Sequence, residues 1–204
     1  GLGYYARFLE AFPSVEALAQ APEEQLMKLW EGLGYYSRAR NLHKAARLVA
    51  QEGGFPQSYE GLLALPGIGE YTAGAIASAA FGLRVPAVDG NVLRVVSRLT
   101  DSREDIALPK RTIRAVLETV MPREAEQIRI FNQSTMELGA TVCVPNGPPR
   151  CEACPAASFC LGRMRGTAPS LPVKSGKKER RREEKTVFLL VREGRLALRR
   201  RPDT

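Results

Sequence analysis

The sequence is poor in several residue types that carry chemistry: its 204 residues include one histidine, one tryptophan and four cysteines. The single histidine, His43, lies in a helical apolar pattern, which favours a surface or partly buried neutral role over catalysis. No apolar run approaches the roughly 20 residues that a membrane-spanning helix needs, and no signal-peptide pattern precedes Tyr4. We therefore expect a cytoplasmic protein without membrane contact, whose cysteines are ligands and not disulfides.

Strand patterns are also scarce in this chain. No convincing two-residue alternation appears before residue 186, whereas apolar residues recur at helical spacing from Tyr4 onward. Helices are predicted over 91–99, 110–120 and 123–139, among others. The fold class predicted for this part of the chain is therefore all-α.

Acidic residues are outnumbered by basic ones. Thirty Lys and Arg face 22 Asp and Glu, which gives a net charge of +8. Such an excess favours polyanionic partners through counterion release, although many soluble proteins carry as much. Residues 168–185 are rich in proline and then in charge, which predicts a linker. Residues 186–199 read as a β-hairpin about Glu193-Gly194, the opening of a second domain.

The stretch from Leu62 to Gly74 organises the predicted helices. An apolar helical turn runs into Pro66-Gly67-Ile68-Gly69 and directly into another helix. Glycines in such a hairpin leave backbone N–H groups unshielded at a helix N-terminus, where a phosphate can bind. An ordinary helix–helix turn is the alternative. The helix that follows has almost no side-chain bulk over 73–80, so we expect it to be central and closely packed.

Two further segments combine residues suited to nucleic acid or metal. Residues 32–43 join two glycines, two tyrosines and two arginines, which suits stacking on bases and pairing with phosphates, although core packing of each tyrosine is equally open. Four cysteines lie within eighteen residues, at positions 143, 151, 154 and 160. Four thiolates bind either zinc or an iron–sulfur cluster, and ligand type alone does not separate the two.

The combination resembles a known family. Leu-Pro-Gly-Ile-Gly at 65–69, Val-Asp-Gly-Asn-Val at 88–92 and the clustered cysteines resemble the helix-hairpin-helix DNA glycosylases of the endonuclease III superfamily. Within it, residues 30–43 and Phe-Asn-Gln at 131–133 look like the MutY-type adenine DNA glycosylases. The resemblance implies removal of adenine mispaired with 8-oxoguanine or guanine in double-stranded DNA, by a monomeric enzyme in the nucleoid.

The same resemblance implies a domain organisation. Residues 1–83 would form the helix-hairpin-helix (six-helix-barrel) domain without its first helices, and 84–165 the iron–sulfur cluster domain. A basic linker over 166–185 would lead into 186–204, the incomplete start of a Nudix-like domain that reads 8-oxoguanine. Since the sequence starts without methionine and stops within an expected strand, we expect a fragment.

The resemblance also assigns catalytic roles. Asp89 matches the catalytic aspartate, which stabilises the positive charge that grows on the deoxyribose as the base departs; capping of the next helix is the simpler alternative. Asn91 would orient that carboxylate or a water. Tyr71 stands where bifunctional relatives carry a lysine that forms a Schiff base, so a monofunctional glycosylase is implied.

Binding roles follow in the same way. Gln133 would pair with the edge of adenine, Met136 would form an apolar wall, and Tyr35 would stack beside the lesion. The DNA backbone would be held by the hairpin and its surroundings, at Gly67, Gly69, Thr72 and Arg38.

Two departures from the family accompany these assignments. Cys143, Cys151, Cys154 and Cys160 resemble the ligands of a [4Fe-4S] cluster, but the first gap is one residue longer than usual. The glutamate that protonates the leaving adenine aligns before Gly1, so the chain as given is expected to bind DNA weakly and to excise adenine poorly or not at all. The rival interpretations are an endonuclease III-like or thymine–guanine glycosylase, a non-catalytic DNA-binding module and a zinc-stabilised domain.

Overall fold

The computed structural model describes residues 2–105, 110–173 and 182–197. These residues are mostly helical, as predicted, with a single two-stranded hairpin near the end. The described helices are α1 (Leu2–Ala11), α2 (Val15–Gln20), α3 (Glu23–Trp30), α4 (Tyr36–Gln51), α5 (Tyr59–Leu63), α6 (Glu70–Phe81), α7 (Gly90–Leu99), α8 (Lys110–Val120), α9 (Ala125–Thr141) and α10 (Leu161–Met164). The strands are β1 (Val191–Arg192) and β2 (Arg195–Leu196), which pair antiparallel.

Helices α1 to α4 enclose the first apolar core. Ser14 starts α2 as an N-cap, because its hydroxyl accepts a hydrogen bond from the backbone N–H of Ala17 at 3.2 Å. Leu26 of α3 is fully buried in this core, and Trp30 packs against it. The short helix α2 packs against α4. Helix α4 also contributes buried residues to the next core, so the two cores share it.

Helices α4, α5 and α6 form the second core, in which α6 is the central element. Ala73 and Ala77 of α6 are fully buried. A Cβ atom at Gly74 would lie 2.6 Å from the backbone oxygen of Pro86, so the segment leading to α7 approaches closer than any larger residue would allow. The prediction of a closely packed small-residue helix agrees with these contacts, and α6 is thereby held against the start of α7.

Helices α7, α8 and α9 build the third core from Val92, Val96, Ile113 and Leu117. The buried side chain of Asn132 on α9 ties this core to the segment before α7. Its Nδ2 donates to the carbonyl of Val85 at 3.0 Å, and its Oδ1 accepts from the N–H of Ala87 at 3.1 Å. Both ends of the amide are therefore satisfied inside the protein.

Several predicted bounds differ from the structure. Helix α9 begins at Ala125 and not at 123, and it extends to Thr141. The first strand of the predicted hairpin covers only Val191–Arg192. Residues 186–190, which were expected to belong to it, carry neither helix nor strand and are exposed. His43 is 3% exposed, which is more deeply buried than expected. None of the helices in the described part of the chain is long and apolar enough to cross a bilayer.

Candidate functional site

The helix-hairpin-helix turn lies between α5 and α6. Gly67 has a φ of +77°, and a Cβ there would lie 2.6 Å from Cβ of Asn41, so conformation and space both require glycine. Gly69 precedes α6 and has no atom within 4 Å of the place of its missing Cβ. The first turn of α6, which contains Thr72, therefore begins at an open backbone surface.

A second exposed feature lies at the start of α4. Tyr35 has a φ of +49°, a region that costs a non-glycine residue about 1–3 kcal/mol, and its side chain is 78% exposed. The guanidinium of Arg38 lies over its ring, 5.0 Å from the centroid. Arg38, Gly67 and Thr72 line the same apolar groove, so three of the predicted backbone contacts are neighbours. The unusual backbone holds an aromatic ring outward next to them.

Asp89 and Asn91 stand at the N-terminal end of α7. Asp89 is the N-cap, and its Oδ1 accepts from the N–H of Val92 at 2.8 Å. Its Oδ2 accepts from Nδ2 of Asn91, also at 2.8 Å. The carboxylate is half-buried and fixed by two donors on opposite oxygens. Asp89 therefore caps α7, as the simpler alternative predicted, and its carboxylate remains partly exposed.

Two buried arginines of α7, Arg94 and Arg98, were not singled out from the sequence. Arg94 continues the hydrogen-bond network of Asp89 and Asn91 into the protein. Arg94 Nη2 donates to Oδ1 of Asn91 and to the carbonyl of Gly139, both at 2.8 Å, and its Nε donates to the carbonyl of Cys143 at 2.7 Å. Burial, and then the charge of Arg98, lower the pKa of Arg94. Two arginines four residues apart inside an apolar helical pattern were the available signal.

Tyr71 connects α6 with α9. Its hydroxyl lies 3.4 Å from Sδ of Met136. A small pocket is lined by Tyr71 and by Val88, the residue before Asp89. Gln133 is exposed on α9, one helical turn before Met136.

A close helix crossing explains why these groups meet. A Cβ at Gly139 of α9 would lie 2.6 Å from Cβ of Asn91, so α9 passes directly over the start of α7. The structure therefore links Asp89 and Asn91 at the start of α7 with α9, and it links Tyr71 of α6 with Met136 of α9. The roles assigned to these residues stay predictions. Arg38 lines the separate groove beside the hairpin, and its guanidinium lies over the ring of Tyr35.

The four cysteines line one small cavity beside α7. They lie between the end of α9 and the start of α10, in a segment whose regular structure is limited to two three-residue 3-10 helices. Arg98 Nη1 donates to Sγ of Cys143 at 3.2 Å, and Sγ of Cys160 lies 3.4 Å from the carbonyl of Arg98. Burial, and then the other three cysteines, raise the pKa of Cys151. Four thiols therefore converge around one space.

The spacing of these thiols does not match a single-ion site. Within the described ranges, no three His, Cys, Asp or Glu side chains lie close enough to hold one metal ion. The expected ligand set is thus gathered around a cavity without forming a compact tetrahedron. Its identity as a cluster site stays a prediction.

Comparisons with known proteins agree with this architecture. An adenine DNA glycosylase of Buchnera aphidicola subsp. Baizongia pistaciae is 34% identical over 190 residues, which cover 92% of this chain and 53% of the relative. The adenine DNA glycosylase of Homo sapiens is 42% identical over 176 residues, covering 80% of this chain and 30% of the relative. The chain thus spans about half the length of the first relative and less of the second.

Solved structures of DNA repair enzymes share the fold. A thermostable thymine-DNA glycosylase superimposes with a TM-score of 0.71 at 27% identity, over 80% of this chain and 76% of that one. Endonuclease III in a non-covalent complex with DNA gives a TM-score of 0.66 at 26% identity over the same shares. The model of the HhH-GPD superfamily of base excision DNA repair proteins matches residues 2–122, more than half of the 204 residues. The chain belongs to this superfamily.

Proposed function

We propose that the protein is a MutY-type glycosylase that hydrolyses the N-glycosidic bond of adenine mispaired with 8-oxoguanine or guanine. The observation that carries this proposal is the half-buried carboxylate of Asp89, which two donors fix at the start of α7, where Gly139 of α9 packs against Asn91. The adenine DNA glycosylases that match at 34–42% identity support the choice of base. The partner is double-stranded DNA, bound by a monomer.

The chemistry follows from the charge that develops on the sugar. An adenine inside a duplex is out of reach, so it must be rotated out of the base stack into the cleft. As the base leaves, positive charge grows on the deoxyribose, and a carboxylate that is already oriented stabilises it without reorganisation. The Asn91 amide and the Val92 N–H hold Asp89 in one orientation. Asp89 therefore acts by electrostatic stabilisation or by a brief covalent bond to the sugar.

Tyr71 limits the outcome to base removal. A Schiff base with the opened sugar needs an amine, and a phenol cannot form one. The side chains that line the small pocket with Tyr71 contain no lysine among the residues described: they are Glu70, Pro86, Val88 and Arg114. The product is an abasic site with an intact strand.

DNA is held at two separate places in this proposal. Gly69 and the first turn of α6, which contains Thr72, offer open backbone next to the tight turn at Gly67, and Arg38 adds a positive charge beside them. Tyr35, exposed and rigidly turned outward, is suited to enter the base stack. These contacts bind without reading sequence, whereas Gln133 and Met136 receive the adenine.

The domain organisation is proposed along the same lines. The hairpin domain ends near residue 83, the cysteine-bearing helical domain near 165, and a basic linker near 185. Strands β1 and β2 turn about Glu193 and Gly194, both with positive φ, as a two-residue hairpin turn requires. They would open a Nudix-like domain that reads 8-oxoguanine.

Excision assays test the activity directly. The protein containing this sequence should release adenine from duplexes with 8-oxoguanine or guanine opposite, and borohydride should trap no covalent complex. Release of thymine from a thymine–guanine mispair instead would favour the activity named for the thymine-DNA glycosylase that shares the fold. Binding without release of any base would leave only a DNA-binding module.

We also propose that Cys143, Cys151, Cys154 and Cys160 hold a [4Fe-4S] cluster. Around one zinc ion with Zn–S bonds of about 2.3 Å, thiolates must stand within about 4 Å of each other. A cluster places each thiolate on a different iron and so accepts wider spacing, which fits four thiols lining one cavity without a compact metal site. Bound there, it would covalently join the ends of a segment that has little secondary structure.

Metal analysis distinguishes the two options. Iron and acid-labile sulfide in equal amounts, with brown colour, are expected in protein purified without oxygen. One zinc per chain and no iron would contradict the cluster. The longer gap between Cys143 and Cys151 lies in a loop with Gly147 at a φ of +77°, which can absorb one residue.

A further inference from the structure

Glu137 contacts the side chain assigned to base recognition. Nε2 of Gln133 donates to Oε1 of Glu137 at 2.5 Å. The two residues are four positions apart on α9, so their side chains share one face of the helix. Met136, which touches Tyr71, lies beside them, and Asn132 is turned into the core. The pair of side chains is exposed, so it is open to a base that enters the cleft.

This contact decides which way the amide of Gln133 faces. An amide carries an acceptor oxygen at one end and two N–H donors at the other, whereas a carboxylate only accepts. The NH₂ end is therefore the end that faces Glu137. Turning the amide over would place its carbonyl oxygen against a negatively charged oxygen. Glu137 thus favours one of two orientations that an isolated glutamine would sample equally.

The orientation matters because purines differ in the order of their donors and acceptors. Adenine carries a donor, the 6-amino group, next to an acceptor nitrogen. With its NH₂ end held by Glu137, Gln133 can accept from the 6-amino group and donate its second N–H to the ring nitrogen. A 6-oxopurine such as hypoxanthine places an acceptor where adenine has a donor, so it requires the amide orientation that Glu137 opposes.

We propose that Glu137 is a positioning residue that fixes the Gln133 amide and thereby makes the protein select adenine over 6-oxopurines. This inference rests on the proposed adenine glycosylase function. It assigns to Glu137 no contact with the sugar and no proton transfer. Its effect is on the choice of base, through Gln133 alone.

Substrate discrimination tests the inference. In the protein containing this sequence, single-turnover excision of adenine and of hypoxanthine is measured opposite the same base. Glu137→Gln removes the charge but keeps the size of the side chain. Because the new amide can accept or donate, the Gln133 amide can then adopt either of its two orientations. The ratio of the two rates is expected to fall by about tenfold, since a bidentate base contact discriminates by about that factor or more.

Two controls separate positioning from a general structural effect. Glu126→Gln makes the same chemical change on the same helix, where Glu126 pairs with exposed Arg129, and should leave the ratio unchanged. In a Gln133→Ala background the ratio should already be low, and Glu137→Gln should lower it no further. The conservative Glu137→Asp variant should restore part of the discrimination.

The outcomes are distinct. An unchanged ratio in Glu137→Gln, or equal slowing on both bases, overturns the positioning role while the proposed function stands. A further fall of the ratio when Glu137→Gln is added to Gln133→Ala also overturns it, since the effect then bypasses Gln133. A parent protein that releases no adenine overturns the proposed function together with this inference.

Discussion

The two ends of α7 hold their functional groups by different means. At the N-terminal end, Asp89 is fixed by backbone and amide donors, and the chain leading to it is set by the close approach of Gly74 to Pro86. At the C-terminal end, buried Arg98 and Asp101 hold a segment with little secondary structure. The first end combines close backbone packing with local hydrogen bonds, whereas the second depends on buried charged side chains that contact a distant segment.

The two ends of α7 use different contacts because the groups that they hold have different tasks. A carboxylate that stabilises a transient charge must be oriented and open to substrate, so its partners are short local contacts. A loop that gathers four cysteines has no helix or sheet to satisfy its carbonyls, so guanidinium groups with several donors take that role. Variants at the two ends should therefore separate loss of chemistry from loss of stability.

Asp89→Asn should produce the largest effect, on chemistry alone. Asparagine caps a helix as well as aspartate, so the cap to Val92 is kept while the negative charge is lost. We expect adenine excision to slow by about 10³-fold with DNA binding and melting temperature nearly unchanged. Single-turnover excision, a binding titration and thermal unfolding measure the three quantities. Equal activity in the variant would remove Asp89 from the mechanism.

Arg98→Met should show the opposite pattern, a loss of stability. Arg98 is 3% exposed and donates to the carbonyls of Leu171 and Val144, which would be left without this donor. We expect the free energy of unfolding to fall by about 3 kcal/mol, measured by denaturant titration. Arg163→Met is the matched control. Arg163 lines the same cavity but is 41% exposed, so a small change is expected.

Gly74→Ala tests the steric side of the comparison. The added methyl group would lie 2.6 Å from a backbone oxygen that cannot move independently of the chain. We expect a destabilisation of about 2 kcal/mol despite the better helix propensity of alanine. Gly54→Ala is the control, since no atom lies within 4 Å of its Cβ position and its φ is not positive. A neutral result at Gly74 would show that the Pro86 segment shifts freely.

Asp101→Asn should have the smallest effect, and one that depends on pH. Hydrogen bonds from Thr167 and then Arg165 lower the pKa of Asp101 in the folded chain. Its stabilising contribution is therefore complete above the unfolded pKa of about 3.9 and is lost as pH falls through the lower folded pKa. The melting temperature of the variant should fall below that of the parent at pH 7, and the gap should close at strongly acidic pH.

A control for that pH dependence is available on the surface. Glu23 forms an ion pair with Arg40 in which both side chains are more than half exposed. Glu23→Gln should change the melting temperature little at any pH, because exposed pairs contribute little. A gap for Asp101→Asn that stays constant with pH would show that the carboxylate's charge is not what stabilises this end of α7.

Much of the local structure was predictable because it depends on neighbours in the sequence. Ser14 and Ser58 cap α2 and α5, and Gly82 ends α6 with a φ of +64°, each through contacts with residues a few positions away. The hairpin predicted about Glu193 and Gly194 is present, with paired residues at Val191–Arg192 and Arg195–Leu196, and the N–H of Ala197 donates to the carbonyl of Leu190 at 2.9 Å. How far a hairpin extends depends on pairing between segments, which local composition does not supply.

Family resemblance proposed the members of the site but not the contacts between them. Asp89, Tyr71 and Gln133 were assigned in this way; the structure shows Asp89 bound to Asn91, and Tyr71 in contact with Met136 on α9, the helix that carries Gln133. Arg94 and Glu137 were missed, because nothing in their immediate sequence shows that a guanidinium is buried or that a carboxylate faces a glutamine.

The sequence alone determined which local features were available: a glycine-containing hairpin, an aspartate that can cap a helix, a glutamine on a long helix and four clustered cysteines. Only the tertiary structure decided that α9 crosses α7 at Gly139 and that the arginines of α7 turn inward toward Asn91 and Cys143. Caps and turns are set within a few residues of chain. Helix crossings and buried charges depend on contacts between segments far apart in sequence, whose energies arise only when the core is packed.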